Sequence, residues 1–332
     1  MSRPTRKIAG AEVSAMGVGA MSFAEFYGPT TEENSWAVLD AAMELGVTHI
    51  DTSNVYGMGR SEEAIGAYLR RNGAAREVFH IATKAGISKD AAGNRCFDNS
   101  PEHLEAELDR SLSRMGIEAV DLFYVHRREE ARPIEEVTAT LVALRDKGKI
   151  KGFGFSEIAP ASLRRGAAVA PVAAVQSEYS LATRAPELGL VQECARQGTA
   201  LVAFSPLGRA FLTDRPIEAE RVPTLAWMKS NPRFLSPNYE ANIAATDRFR
   251  ALAAEMGEPA AALAIAWLLA QGSQILPIPG TRSVAHFREC VRGTELALST
   301  EDLARIEEAL PVGWAHGDRY SVGQYVGPER YC

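Results

Sequence analysis

The sequence predicts an α/β protein, a single (β/α)8 TIM barrel over residues 1–332 with extended loops and a C-terminal helix and tail. Three observations point there. Short β-branched or apolar runs alternate with longer segments of helical period along nearly the whole chain. Eight such units can be counted, and parallel strands need crossovers of about that length, so eight of them close a barrel. The 332-residue length exceeds a common domain, but barrels of this kind routinely reach it in one unit.

Taken in order, residues 13–18 read as the first strand. Thr30 and Glu33 are spaced as a capping box opening a helix that runs to about Leu45. Residues 48–51 and 61–71 give the second strand and helix. Residues 78–84 and 101–115 give the third pair, with Pro101 suited to a first helical turn. Residues 120–126 and 134–146 give the fourth, with Gly148 placed as a C-terminal cap. The second half repeats the rhythm: strand 150–155 with helix 161–170, then strand 173–176 with helix 187–197, closed by Gly198. Strand 200–204 precedes helical stretches 238–256 and 260–271, and strand 275–277 precedes a helix from about Ser283. Residues 300–309 form a further helix. A doubly wound open sheet is the competing fold; it calls for a Gly-rich turn after the first strand, and Gly17 and Gly19 lack the third glycine of G-x-G-x-x-G. Residues 205–237 break the rhythm, and so long a loop in a compact fold suggests a lid or substrate wall. The tail from Pro311, rich in Gly and Tyr, either covers a barrel opening or is disordered.

Composition narrows the function. The chain is 46% hydrophobic and 23% charged, with a net charge of −6 and no Lys/Arg run, which argues against nucleic acid and anionic membrane as partners. Residues 1–10 carry positive charges with no apolar core behind them, unlike a signal peptide. The longest apolar stretch, 260–270, suits a buried helix. Cys96, Cys194, Cys290 and Cys332 form no C-x-x-C pair and read as buried thiols, with Cys332 on an exposed tail; a reducing, cytoplasmic setting is expected. A monomer is the default, since no unexplained apolar helix face stands out.

In such a barrel the chemistry sits at the C-terminal ends of the strands. There the sequence places Asp51, with Tyr56 in the loop beyond, then Lys84, His126, Ser156 with Glu157, Gln176, and Phe204 with Ser205. Alone, each of these is more often a structural ion pair, a packed ring or a satisfied polar group. Together the first four make an acid–base set. A carbonyl receiving hydride needs a proton donor, and an adjacent ammonium lowers the pKa of a tyrosine phenol. Lys84 suits that role, Asp51 can hold Lys84, and His126 can bond the carbonyl oxygen. A metal-dependent barrel would want clustered His and carboxylate ligands; no H-x-H or H-E-x-x-H occurs, and no metal is expected.

The segments Gly46-Val-Thr-His-Ile-Asp51-Thr-Ser-Asn-Val-Tyr56-Gly57, Ile81-Ala-Thr-Lys84, Asp121-Leu-Phe-Tyr-Val-His126, Gly148-Lys-Ile-Lys-Gly152 and Ala203-Phe-Ser-Pro-Leu-Gly208 resemble the motifs of the aldo-keto reductase superfamily, over about residues 17–289. The resemblance implies a (β/α)8 barrel that binds NADP(H) extended and a catalytic tetrad at Asp51, Tyr56, Lys84 and His126. It implies nicotinamide contacts from Ser156 and Gln176, ring stacking by Phe204, and a pyrophosphate loop at Ser205, Leu207 and Gly208. The adenosine 2′-phosphate falls to Gly280, Thr281, Arg282 and Ser283, with His286 and Glu289 beside the adenine. Glu157, His286 and Cys290 depart from the common pattern of Asn, Arg or Gln, and Asn. Phe26-Tyr27-Gly28 and Pro232-Arg233-Phe234 are similar to the microbial and plant branch of short barrels. Candidate walls for a small carbonyl substrate are Phe23, Phe26, Tyr27, Trp227 and Phe234. The family also holds regulatory β subunits of potassium channels that retain the tetrad, so a redox-sensing role is the alternative reading.

Overall fold

The computed structural model describes residues 4–330. An antiparallel hairpin opens it, β1 (Thr5–Ile8) and β2 (Ala11–Ser14). The barrel strands are β3 (Gly17–Gly19), β4 (His49–Asp51), β5 (His80–Ala85), β8 (Val120–Val125), β9 (Ile150–Ser156), β10 (Ala174–Glu178), β11 (Ala200–Phe204) and β12 (Ile275–Pro277). Between β5 and β8 a small hairpin projects, β6 (Ile87–Lys89) with β7 (Arg95–Phe97). The eight barrel strands pair in parallel in chain order. The seam between first and last closes through the Gly19 amide, which donates to the Pro279 carbonyl at 3.0 Å. A Cβ at Gly19 would sit 2.6 Å from the Ile278 carbonyl oxygen, so the seam admits only glycine there without moving.

Around the strands lie α1 (Glu32–Glu44), α2 (Arg60–Arg71), the single turn α3 (Ala75–Val78), α4 (Pro101–Met115), α5 (Ile134–Asp146), α6 (Pro160–Val169) and α7 (Leu190–Gln197). The ring continues with α8 (Asn238–Glu255), α9 (Ala260–Ala270), α10 (Val284–Arg292) and α11 (Thr300–Ala309). Several start where local chemistry dictates. Ser100 caps α4 by accepting from the His103 amide, with Pro101 at the first position. Gly198 closes α7 in the left-handed region at φ 67°.

The core has two parts. One lies inside the barrel, with Ala82, Leu122, Tyr124, Ala174, Val202 and Leu276 meeting Ile8 and Val13 of the opening hairpin. That hairpin plugs the bottom of the barrel, and Arg6 fastens it by donating to the Ile275 carbonyl at 2.8 Å. The larger part fills the annulus between strands and helices. Residues 260–268 of α9 are all buried, as its unbroken apolar run predicts, and no single helix among the described residues is long and apolar enough to cross a membrane.

Four expectations need correction. The first barrel strand begins at Gly17, because residues 13 and 14 finish the plug hairpin; both strands bury apolar residues, so the run looks continuous in sequence. The cap of α1 is Thr31, whose Oγ accepts from the Asn34 amide, one residue later than the Thr30 spacing suggests. The helix expected over 187–197 is interrupted at Gly189, φ 128°, into a 3-10 turn Ala185–Leu188 and α7. Cys96 is only partly buried; Cys194 and Cys290 are buried, with their thiols pushed up to about 12 by desolvation, and Cys332 lies outside the described residues.

The long loop is ordered by four 3-10 turns, Gly208–Ala210, Ala219–Thr224, Met228–Ser230 and Pro232–Phe234. The tail takes the covering role. Trp314 donates to the Leu181 carbonyl at 2.8 Å, and Asn231 to the Arg319 carbonyl at 2.6 Å. Gln324 donates to the Trp227 carbonyl at 2.8 Å.

Candidate active site

A cavity of about 890 Å³ opens at the C-terminal ends of the barrel strands. Its lining combines groups from the loops after β3, β4, β8, β11 and β12 with Tyr320 and Gln324 of the tail.

The four acid–base residues converge there. Asp51 ends β4, Lys84 is next to last in β5, and His126 follows β8 directly. Tyr56 sits in the turn after β4, half-buried and facing the cavity. Lys84 is fully buried; its Nζ pairs with Asp51 Oδ1 and donates to the Thr52 carbonyl at 2.8 Å. Gln176 donates to the other Asp51 oxygen at 2.7 Å. The Lys84 ammonium lies 5.1 Å from the Tyr56 ring centre, and the His126 ring meets Tyr56 edge-on at 5.9 Å.

Electrostatics assign protonation states. Burial opposes the Lys84 charge, but the Asp51 carboxylate and the Tyr56 phenol outweigh it and hold the ammonium above its ordinary range. The expected low phenol pKa is not found. The enclosed surroundings push Tyr56 above its ordinary value against the pull of Lys84 and Arg127, so the phenol keeps its proton. Burial, with Arg127 and Lys84 adding to it, drives His126 well below the ordinary imidazole range and leaves it neutral. Ser53 Oγ lies 3.0 Å from His126 Nδ1.

The expected cofactor residues Ser156, Gln176, Phe204, Ser205 and Leu207 all line the cavity, as do Gly280, Thr281, Arg282, Ser283, His286 and Glu289. Gly208 does not; it is buried, and a Cβ on it would meet Ala182 and Leu212. Phe26, Tyr27 and Trp227 form an aromatic wall, with Phe26 5.0 Å from Tyr27 and 6.3 Å from Trp227. Phe23 and Phe234 are not part of it. Both are buried in the annular core, Phe234 stacked on Phe211 at 4.7 Å, because the turns carrying them point these rings inward.

Sequence reasoning missed four groups. Arg127 lines the cavity and donates to Ser156 Oγ at 2.9 Å. Its position beside His126 at a strand end carries the same signal that singled out His126. Arg95, on the unpredicted hairpin, also lines it. Arg209 packs on Trp227 at 3.8 Å from the ring centre, with Glu178 at 3.6 Å. Arg319 reaches in from the tail and grips Glu157 with bonds of 3.0 and 2.5 Å. That pairing explains the departure at 157: the side chain does not reach the cavity and serves as the anchor of the tail. Ser205, Arg209 and Ala210 in the lining, with the adjacent Glu157, hold positive φ, a strain that accumulates at working sites. Among the described residues no group of three or more His, Cys, Asp or Glu is placed to hold a metal ion.

The aldo/keto reductase family model matches residues 15–311. An aldo-keto reductase of Schizosaccharomyces pombe described as using NADP(+) is 38% identical over 97% of this chain and 96% of its own length. A probable aldo-keto reductase of Glycine max is 37% identical over 95% of this chain and 90% of its own. The structure of a glycerol dehydrogenase from Gluconobacter oxydans superposes with a TM-score of 0.81 at 27% identity, covering 93% of this chain and 96% of that one. With a barrel closed in chain order, a cavity at its strand ends lined by both apolar and polar groups, and matches of this extent, the chain belongs to the aldo/keto reductase family.

Proposed function

We propose that this protein reduces aldehydes or ketones to alcohols with NADP(H), Tyr56 acting as the general acid. The observation that carries the reading is the convergence of Tyr56, Lys84, Asp51 and His126 at one end of one cavity. The cofactor class follows from family membership.

The residues fit such a dinucleotide. The lining runs from Tyr56 and His126 past Phe204 and Ser205 to Arg282 and His286, a mixed surface of backbone, hydroxyls, aromatic rings and guanidinium groups. Gly280 lies so close to Gly19 that a Cβ on it would be 2.8 Å from the Gly19 carbonyl oxygen, which keeps that stretch of wall thin. At the far end Arg282 is partly exposed and donates to the Pro29 carbonyl at 2.5 Å, leaving further guanidinium protons for a phosphate. Ser283 caps α10, whose N-terminus faces the same place. Ser156 and Gln176 would hold the nicotinamide, with Phe204 against its face.

The bound nicotinamide supplies or takes the hydride. Tyr56 gives its phenolic proton to the oxygen of the substrate as negative charge builds there. Lys84, already charged, stabilises the phenolate left behind, and Asp51 with Gln176 keeps Lys84 in place. Neutral His126 offers a hydrogen bond from Nε2 to the same oxygen in the tautomer in which Nδ1 accepts from Ser53 Oγ. The reverse reaction uses the same groups, with the phenolate as base.

The test is loss of nicotinamide absorbance with aromatic, aliphatic and sugar aldehydes, NADPH beside NADH. Turnover with NADPH is expected. Tight NADPH binding with no turnover on any carbonyl would move the reading to a redox-sensing regulatory subunit.

A further inference from the structure

We propose that the cavity selects carbonyl substrates that also bear a carboxylate, held by Arg127 at its base and drawn in by Arg95 at its rim. This rests on the reductase reading above and names a substrate class for it.

The charges around the cavity do not balance. Lys84 is matched by Asp51, Arg319 by Glu157 at 2.5 Å, and Arg209 by Glu178 at 3.6 Å. Five lining arginines, Arg95, Arg127, Arg215, Arg221 and Arg282, have no carboxylate within ion-pair distance among the described residues, and of these Arg127 alone is buried. Arg127 is 9% exposed, and its bonds go to two neutral oxygens, the His126 carbonyl at 2.6 Å and Ser156 Oγ at 2.9 Å. Its Nε is buried with no hydrogen-bond partner. The Arg95 guanidinium rests 5.3 Å from the Phe97 ring and lies near enough to Arg127 for the two like charges to oppose each other.

A guanidinium cannot shed its proton to relieve this, and an unpaired buried charge with an unmet donor is costly. Arg127 is such a group, and the exposed Arg95 adds a second positive charge at the cavity rim, so the two form a complement to an anion. The planar fork of arginine matches a carboxylate with two parallel bonds, which selects this anion by shape as well as charge. Arg127 lines the same cavity as His126 and Tyr56 and bonds the His126 carbonyl, which places its carboxylate on the molecule whose carbonyl His126 and Tyr56 address. The 2′-phosphate of the cofactor is assigned to Arg282 and its pyrophosphate to the loop at Ser205 and Leu207. Phe26, Tyr27 and Trp227 supply the flat apolar surface that an aromatic spacer between carbonyl and carboxylate would occupy.

The test compares each of 2-, 3- and 4-formylbenzoate with its methyl ester, as substrates with NADPH for the wild type, Arg127→Met, Arg127→Lys and Arg95→Met. At least one acid is expected to exceed its ester in kcat/KM by about tenfold to hundredfold, the span of one or two charge-assisted bonds, mainly through KM. That ratio falls toward one in Arg127→Met, recovers partly in Arg127→Lys, and drops by less in Arg95→Met. Acids and esters used alike by the wild type, or an equal loss on both in Arg127→Met, would overturn the inference and leave Arg127 as a brace for His126 and Ser156, with the reductase reading intact. If no probe is consumed, the wider aldehyde panel decides the reductase reading, and quenching of protein fluorescence by benzoate against methyl benzoate decides the anion site. Benzoate binding that is lost in Arg127→Met upholds it, and no preference for benzoate refutes it.

Discussion

A buried ion pair between Arg319 and Glu157 helps hold the tail over the cavity, and breaking it should be measurable both in stability and in catalysis. Arg319→Met removes bonds of 3.0 and 2.5 Å to Glu157 and a charge 3.6 Å from Glu178. The Glu157 side chain is 2% exposed, so its carboxylate is left buried without a cation, a loss of about 3–5 kcal/mol in comparable pairs. Two features place this case at the lower end, about 3 kcal/mol. Glu157 keeps bonds from the Glu178 amide at 2.8 Å and Ser177 Oγ at 3.3 Å, and the released tail lets water in. For a chain of 332 residues that lowers the melting midpoint by about 4 °C. Glu157→Gln in the same chain removes the orphaned charge, so the double variant should regain at least half of the loss. Loss of the Tyr320 and Gln324 wall should also raise KM. Glu157 is held below its ordinary pKa: burial works against this, and Arg319 overcomes it. Its stabilising contribution is therefore complete above about pH 4.5 and fades as pH falls below that, a dependence absent from the double variant. Thermal melts of the four proteins decide. An Arg319→Met midpoint within 1 °C of wild type, or a double variant no better than Arg319→Met, would refute the clamp.

Other outcomes follow from single contacts. Gly19→Ala forces a Cβ to 2.6 Å from the Ile278 carbonyl at the barrel seam and should cost about 1–3 kcal/mol in urea unfolding; an unchanged midpoint would show that the seam gives way freely. His126 is kept neutral by its surroundings, so kcat/KM for a neutral aldehyde should show no limb between pH 6 and 7, where a free imidazole titrates; such a limb, absent in His126→Asn, would contradict that state. Arg282→Ala should weaken NADPH by about 1–3 kcal/mol and NADH far less, measured by fluorescence titration, while equal losses would mean that the 2′-phosphate is read elsewhere.

Most of the barrel was legible because its strands are buried on both faces and its helices carry an apolar stripe. Residues 101–115, 134–146 and 200–204 match their predicted bounds to the residue, since caps and Gly or Pro punctuate them. The opening hairpin was not separable from the first barrel strand, because Val13 and Val18 both point into apolar core. The β6–β7 hairpin escaped because its three-residue strands are partly or fully exposed and carry no buried apolar run, unlike the equally short β12. A local signal for its turn did exist: Asp90 Oδ1 accepts from the Ala92 and Asn94 amides at 2.9 and 2.8 Å. Asp51, Tyr56, Lys84 and His126 were visible because strand ends place them. The pairing of Glu157 with Arg319 spans 162 positions, and nothing local announces it. Phe23 and Phe234 misled for a related reason: which way a loop ring turns depends on what packs beneath it, here Phe211 for Phe234. In sequence their loops read only as variable walls.

The central claim is that Tyr56 is the proton donor, and Tyr56→Phe tests it most directly, since it deletes one oxygen while keeping the ring against His126 and Lys84. NADPH oxidation with the best aldehyde of the panel should fall by at least a hundredfold, with the NADPH dissociation constant changed by less than about threefold. A variant that keeps more than a tenth of the wild-type rate would contradict the account and place the donor elsewhere.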